Sequence, residues 1–425
     1  MWNKFQQIWK AKDLRNSIFY VLALLVVFRM AAHIPVPGVD VADLRNYFSG
    51  NQVLGLINLF SGGAMENFSV VMLGVGPYIT ASIILQLLVM IVPRLEALSK
   101  EGEYGQQKIS QYTRILTVPL AALQAYGFIR ILSIQSQGQL FSSLTSWQWF
   151  TTIVIVTAGT IFLMWLGELI TERHIGNGVS LIIFTGIVTG LPQAIRNTAI
   201  AFDNSMVLNL VIFVLIALLT IAAIVFITEG TRNIPVSYAR HMSGQKSIGG
   251  VRTHLPLRVN QAGVIPIIFA ISVILFPPMV AQFFLQSDIS WVANGAQRTI
   301  DIFQDQTFYA VFYFVMVFLF TYFYTSVIFR PQQIAENLQK QGGFIPGIRP
   351  GRPTSDYLGM IMNRIILAGA IFLGVIAVLP TLVAPLTGIA TMQIGGTSLL
   401  IVVSVALETV KQIDAQLIMR DYEGF

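Results

Sequence analysis

Long apolar runs alternate with short polar segments along the whole chain. Ten of these runs are close to the roughly 20 residues that an α-helix needs to cross a bilayer. They cover residues 18–34, 72–92, 115–134, 149–170, 179–195, 206–228, 262–285, 308–329, 357–379 and 398–418. The pattern predicts a polytopic helical membrane protein, and the even number of spans places both ends of the chain on one side.

The segment between residues 53 and 93 is apolar but is broken twice. The triplet SGG at 61–63 interrupts it first, and GVGP at 74–77 interrupts it again. Pro77 stands where a helix would begin, a position at which its missing N–H costs little. Broken helices are tolerated in membranes where they are buried in protein or line a water-filled cavity. We therefore predict that this segment lies in a pathway through the membrane.

The composition agrees with a membrane protein. Charged residues make up 11% of the 425-residue chain, against about 25% in an ordinary soluble domain. Mean hydropathy is +0.70. The absence of cysteine excludes a disulfide framework and a thiolate metal site.

Lysine and arginine are distributed unequally between the two sets of loops. One set, which includes both termini, holds 21 of the 26 Lys and Arg residues, and the opposite set holds 4. Loops on the cytoplasmic side of a membrane carry the excess of these residues. We therefore predict that both termini are cytoplasmic, together with the loops near 94–114, 229–260 and 330–357.

Two large cytoplasmic loops contain turn motifs among their basic residues. Residues 243–246, SGQK, lie between segments of β character and predict the tip of a hairpin. Residues 347–351, GIRPG, hold Arg349 in a rigid turn, which suits bidentate contact with phosphate or carboxylate. These loops indicate either a negatively charged cytoplasmic partner, nucleic acid included, or only membrane topology and contact with anionic lipid.

The sequence carries no constellation for catalysis. The four histidines lack metal-ligand spacing, and there is no nucleotide-binding GxxxxGK[ST] motif. Glu168 and Glu408 lie in or at the end of apolar runs, where acidic residues serve as proton relays or pair with neighbours such as Arg173 and Lys411. We expect the two glutamates to snorkel or to pair, and we expect neither enzymatic activity nor a metal or cofactor.

Longer motifs identify a family resemblance. They are FRMAAHIPVPGVD (28–40), INLFSGGA (57–64), GPYITASIILQLL (76–88), KISQYTR (108–114), MWLGELITERHIGNGVS (164–180), THLPLRVNQAGVIP (253–266), GGFIPGIRPGRPT (342–354) and GGTSLLIVVSVALE (395–408). Over essentially the whole length, they closely resemble the SecY family, the central subunits of bacterial protein-conducting channels. The sequences of these motifs resemble those of bacterial members of the family more than those of archaeal members.

The resemblance implies an all-α polytopic membrane protein. Ten transmembrane helices would form two pseudo-symmetric five-helix halves, residues 1–195 and 196–425, hinged between the fifth and sixth helices. A short plug half-helix, at about residues 55–73, would close the outer funnel. The second half would carry the large cytoplasmic loops 229–261 and 330–356.

The resemblance also implies two sealing devices. A pore ring would consist of Val75, Ile79, Ile183, Ile268 and Ile401. The plug would include Leu59, Phe60, Ser61, Gly62 and Gly63. Branched apolar side chains offer water no partners, so a ring of them closes a channel by dewetting. Taken singly, each ring residue has the character of an ordinary lipid-facing or core residue.

Two further sets of residues follow from the same resemblance. A lateral gate would include Thr80, Gln86 and Asn260, whose hydrogen bonds would stabilise the closed gate. Cytoplasmic docking of the motor or the ribosome would use Arg240, Lys246 and Arg349. Gln245 stands at the hairpin tip where the family usually has a second basic residue.

The implied function is a passive channel and not an enzyme. It would pass unfolded secretory polypeptides across the plasma membrane and release hydrophobic segments sideways into lipid. The implied location is the cell (inner) membrane, with multiple passes and both termini cytoplasmic. The implied partners are the small membrane subunits SecE and SecG, the SecA motor ATPase, the ribosome through its RNA, signal sequences, translocating polypeptides and the lipid bilayer.

Two other classes of protein compete with this interpretation. A secondary transporter with a discontinuous helix needs polar groups at the break to hold its substrate and ion. Here the break at 74–77 and its expected facing positions are apolar or glycine. A structural scaffold on the lipid surface gives no reason for a broken helix.

Overall fold

A computed structural model describes residues 9–37, 44, 61–135, 145–200, 207–238, 241–243, 246–248, 252–285, 289–387 and 396–423. Its helices are α1 Lys12–Ala31, α2 Gly76–Ile91, α3 Pro93–Ser99, α4 Glu103–Gln135, α5 Ser146–Thr171, α6 Gly178–Ile200, α7 Val207–Glu229, α8 Ile265–Phe284, α9 Ser290–Gln304, α10 Gln306–Ile328, α11 Pro331–Lys340, α12 Arg352–Thr387 and α13 Gly396–Glu423. Its strands are β1 Thr231–Tyr238, β2 His241–Ser243, β3 Lys246–Ile248, β4 Arg252–Arg258 and β5 Gly343–Phe344.

Each of the ten predicted apolar runs coincides with one of the longer helices. The shortest of these is α2, with 16 residues, and the longest is α12, with 36. Within the described ranges, five helices are long and apolar enough to cross a membrane, or six if the bent pair α2 and α3 is one span. The shorter helices α6 and α8 contain the apolar parts Gly178–Gln193 and Ile265–Ile274, and they carry Pro192 and the pair Pro277 and Pro278.

Residue contacts divide the chain into two units. Unit 1 comprises Met1–Phe202, Met279–Gln297 and Val405–Phe425, and unit 2 comprises Asp203–Pro278 and Arg298–Ser404. The first two hundred residues therefore belong together, as do most of those that follow. The predicted halves, 1–195 and 196–425, stay a prediction.

Unit 1 packs α4 and α5 against the segment that precedes α2. The core of this contact contains Phe68, Met72, Ile129 and Val156, all buried. Gly159 of α5 has no space for a side chain, because an added Cβ would lie 2.0 Å from the carbonyl oxygen of Val70. Small residues let a membrane helix approach a neighbouring backbone this closely.

Unit 2 joins apolar helices to a small sheet. Phe269 of α8 meets Phe320 and Tyr324 of α10 edge-to-face, at centroid distances of 5.9 and 5.8 Å. Strand β1 is central in the sheet order β4-β1-β5. The inner face of the sheet, with Ile234 and Leu257, packs on the beginning of α12.

We predict opposite effects for two alanine substitutions of helical glycines. Gly159→Ala will lower the free energy of unfolding by about 1–3 kcal/mol, because its Cβ would collide with the backbone of Val70, which cannot move away as a flexible side chain could. Gly359→Ala will raise stability by about 0.5–1 kcal/mol, because alanine is the better helix former and the nearest atom to its Cβ lies at 3.9 Å. Thermal unfolding in detergent measures both, and equal effects would contradict the close contact at Gly159.

Candidate functional site

Residues 61–75, which we call the seated segment, precede α2 and form successive turns. A helix was expected here. The backbone has positive φ at Gly62 (+69), Gly63 (+80), Phe68 (+44) and Gly74 (+58). Left-handed residues interrupt a right-handed helix, and only glycine adopts them at little cost. Of the predicted plug residues, Leu59 and Phe60 lie outside the described residues.

The seated segment is fixed to the chain that follows α1 by a short antiparallel bridge. The Val36 amide donates to the Phe68 carbonyl at 2.8 Å, and the Val70 amide donates to the Ile34 carbonyl at 3.0 Å. The side chain of Phe68 is fully buried between α4 and α5. Irregular backbone is tolerated at membrane depth when protein satisfies its polar groups in this way.

The beginning of the seated segment touches α6 at a pair of glycines. A Cβ added to Gly62 would lie 2.8 Å from the Cα of Gly186 and 3.3 Å from the ring of Phe28. The Arg29 guanidinium donates from Nη1 to the carbonyl oxygen of Gly62. The sequence showed Arg29 only as a charge inside the first apolar run, although such charges are often functional.

Three of the predicted ring residues lie close to the two ends of the seated segment. Val75 is buried at its C-terminal end, and the Ile79 amide donates to the Val75 carbonyl at 3.0 Å. At the other end, Ile183 is buried on α6 and precedes Gly186 by three residues. Residues so spaced share one helix face. The seated segment therefore leads from the helix face that carries Ile183 to Val75.

The other two ring residues belong to unit 2. Ile268 is half-buried near the beginning of α8, and Ile401 is buried on α13. The ring residues are thus divided between the two units, and the closed ring of five side chains stays a prediction.

The predicted lateral-gate residues differ in their hydrogen bonds. The Thr80 hydroxyl donates to the Gly76 carbonyl at 3.1 Å, and Gln124 of α4 donates to Thr80 at 3.5 Å. Gln86 donates to the Ser82 hydroxyl, also on α2. Asn260 is buried, and its Oδ1 has no hydrogen-bond partner among the described residues. Their joint role as a gate stays a prediction.

The two large polar loops of the second half meet in one sheet. Strand β1, from the first loop, pairs with β4 along its length, and its end pairs with β5 from the second loop through Ser237 and Phe344. Strands β2 and β3 form the predicted hairpin, with Ser243 paired to Lys246. Arg240 lies outside the described residues.

Arg349 is held by a fixed turn beside this sheet. Gly347 and Gly351 have φ of +82 and +96, and the buried Thr354 hydroxyl donates to the Arg349 carbonyl at 2.8 Å. The neighbouring Ile348 packs on the core of the sheet. The Arg349 side chain is exposed. The predicted rigid turn is confirmed, and it presents a guanidinium to the solvent.

The partner of Glu168 differs from the one expected. Its carboxylate Oε1 lies 2.6 Å from Nε of Arg114 on α4. Arg173 instead lies over the ring of Tyr20, 4.2 Å from its centroid. Sequence distance favoured Arg173, but the packing of α4 on α5 brings Arg114 to the carboxylate. Glu408 is exposed on α13.

We predict that Gly62→Ala loosens the seated segment more than Gly63→Ala. Both residues have positive φ, so alanine costs each about 1–2 kcal/mol of backbone strain. Only at Gly62 does the new methyl group also meet another backbone, whereas nothing lies within 4 Å of the Cβ position at Gly63. Hydrogen–deuterium exchange of peptides covering 61–75 measures the difference. Equal protection in the two variants would argue against the contact with Gly186.

Comparison with known proteins supports a single family. The SecY family model matches residues 69–410. A protein translocase subunit SecY from Streptomyces coelicolor is 45% identical over 445 residues, covering 100% of both chains.

Solved structures share the fold. A structure of a protein conducting channel is similar with a TM-score of 0.61 at 16% identity, over 93% of this chain and 90% of the other. A SecY structure, whose plug domain is described as stabilising the closed state of the channel and maintaining a membrane seal, is similar with a TM-score of 0.58 at 17% identity, over 92% and 90%. The chain belongs to the SecY family.

Proposed function

We propose that the chain is a passive protein-conducting channel of the inner membrane. It passes unfolded secretory polypeptides across the bilayer and releases hydrophobic segments sideways into lipid. The observation that carries this proposal is the seated segment, a largely buried and irregular stretch that leads directly into helix α2. A membrane protein without a pathway has little use for such a stretch at this depth.

The proposed seal has two parts in series. The ring of Val75, Ile79, Ile183, Ile268 and Ile401 excludes water and ions because its side chains offer them no hydrogen bonds. Residues 61–63, with Leu59 and Phe60, close the outer funnel as a plug. Support for the plug comes from the close backbone contact between Gly62 and Gly186 and from the sealing role described for a SecY plug domain.

Sideways release uses a gate between α2 and α8. Thr80, Gln86 and Asn260 are its polar residues. Asn260 supports this role because it is buried while its Oδ1 lacks a hydrogen bond in the described part of the chain. A buried amide gains about 0.5–2 kcal/mol from a hydrogen-bond partner in a membrane protein. Asn260 is therefore expected to gain or lose such a partner when the gate opens or closes.

The cytoplasmic sheet is the proposed docking surface. Arg349 offers a positioned guanidinium, and Arg240 and Lys246 are the other two cations proposed for docking. The SecA motor and ribosomal RNA are the proposed occupants at different times. SecE and SecG pack on the membrane helices, and both termini face the cytoplasm, in agreement with the distribution of Lys and Arg.

A secondary transporter is the less supported alternative. The helix break at 74–77 presents Gly74, Val75 and Gly76, which supply no polar side chain for a substrate. Within the described residues, no group of three acidic or histidine side chains could hold a metal ion.

We predict that Ile79→Asn or Ile401→Asn raises ion conductance several-fold in planar bilayers. The amide re-wets the constriction because it binds water where isoleucine does not. Ile91→Asn is the control, because Ile91 lies on the same helix as Ile79 but is exposed. Conductance equal to that of the unmodified chain in both ring variants would exclude the ring.

We also predict that Arg349→Glu slows motor-driven export about tenfold or more, with a smaller effect on membrane insertion. Reversing a charge in a docking contact replaces attraction with repulsion. Lys340→Glu is the matched control, because Lys340 is an exposed cation near the same sheet but outside the fixed turn. Comparison of the export and insertion rates of the two variants measures the effect. Normal motor-dependent export with Arg349→Glu would count against this docking role.

A further inference from the structure

Arg29 is a charged residue inside a segment that is long and apolar enough to span a membrane. It lies in the last turn of α1, next to the buried Phe28. A guanidinium in such a segment is costly unless it is paired or hydrogen-bonded. The Nη1 of Arg29 donates to the carbonyl oxygen of Gly62, a residue 33 positions away in the sequence.

The seated segment has two kinds of attachment. Near its middle, Phe68 and Val70 are fixed through backbone hydrogen bonds to Val36 and Ile34. At its beginning, the donor to Gly62 is a side chain. Charge-assisted hydrogen bonds are stronger than neutral ones, but one that depends on a single side chain breaks without disturbing any secondary structure.

The surroundings of Gly62 direct its carbonyl group. Its φ of +69 and its contact with Gly186, which leaves no room for a Cβ, hold this part of the chain between α1 and α6. Ser61 is buried beside it, with 4% of its surface exposed. Movement of Gly62 away from α1 would therefore expose Ser61.

We propose that Arg29 is a positioning residue that holds the beginning of the seated segment, so that loss of its hydrogen bond releases residues 61–63 while the bridge at 68–70 remains. The attachment is independent of what the channel carries. Its consequence for ion leakage rests on the proposed plug function.

The chain offers a direct way to test this, because it contains no cysteine. Ser61→Cys introduces a single, nearly isosteric thiol at the released end. Met72→Cys introduces one beyond the bridge, at a position that is fully buried. A membrane-impermeant maleimide is applied separately to right-side-out and inverted membrane vesicles, so that the test does not assume an orientation.

Each reporter is combined with Arg29→Met, which removes the donor, and with Arg29→Lys, which keeps a shorter cation. Arg130→Gln is the control, since Arg130 is an exposed arginine on α4. We expect Arg29→Met to raise the labelling rate at position 61 about tenfold or more, as loss of a charge-assisted hydrogen bond implies. Arg29→Lys should give an intermediate labelling rate at position 61, and Arg130→Gln should leave that rate unchanged. The labelling rate at position 72 should be the same in all variants.

Two results would overturn the proposal. One is an unchanged rate at position 61 in Arg29→Met while Gly62→Ala, the positive control, raises it. The other is an equal rise at positions 61 and 72, which indicates general loosening. If Arg29→Met does not accumulate in the membrane, the test relies on Arg29→Lys. A labelling rate at position 61 equal to that of the chain with Arg29 would then overturn the proposal.

Ion conductance measured on the same variants separates the proposal from the proposed function. Faster labelling at position 61 without leakage supports the role of Arg29 and removes the sealing role of the plug. Leakage without faster labelling overturns the role of Arg29 and leaves the channel function intact.

Discussion

The requirement that buried backbone be hydrogen-bonded governs the seated segment, residues 61–75. Residues 61–75 form turns instead of a helix, and turn hydrogen bonds such as that from the Phe68 amide to the Met65 carbonyl satisfy part of their backbone. The neighbouring chain supplies further partners, among them those in the Val36–Phe68 bond, the Ile34–Val70 bond and the Arg29–Gly62 bond. These bonds place an irregular stretch among membrane helices, and the proposed channel function depends on that placement.

Glycine makes the same arrangement sterically feasible. Gly62 meets Gly186, and Gly159 meets the carbonyl of Val70, so two helices reach the backbone of the seated segment directly. Between membrane helices there is little hydrophobic driving force, because lipid is as apolar as the side chains, and close packing takes its place. The glycines therefore allow α5 and α6 to pack directly against the backbone of the seated segment.

A shared strand connects the two large polar loops. Strand β1 pairs with β4 within its own loop and with β5 of the other, and a common core of Ile234, Leu257 and Ile345 lies beneath the sheet. Arg349 follows β5 directly. The two loops are thus parts of one folded unit, which suits the docking surface proposed above.

The sequence by itself determined the membrane helices, the hairpin strands and the glycine turn around Arg349, because each depends on composition and spacing within a short stretch. Motif resemblance supplied the family and the fold, which were confirmed. Only the tertiary structure decided that residues 61–75 form turns, that Arg114 is the partner of Glu168, and that Arg29 holds Gly62. These contacts join residues far apart in the sequence, and their geometry follows from helix packing, which local patterns do not encode.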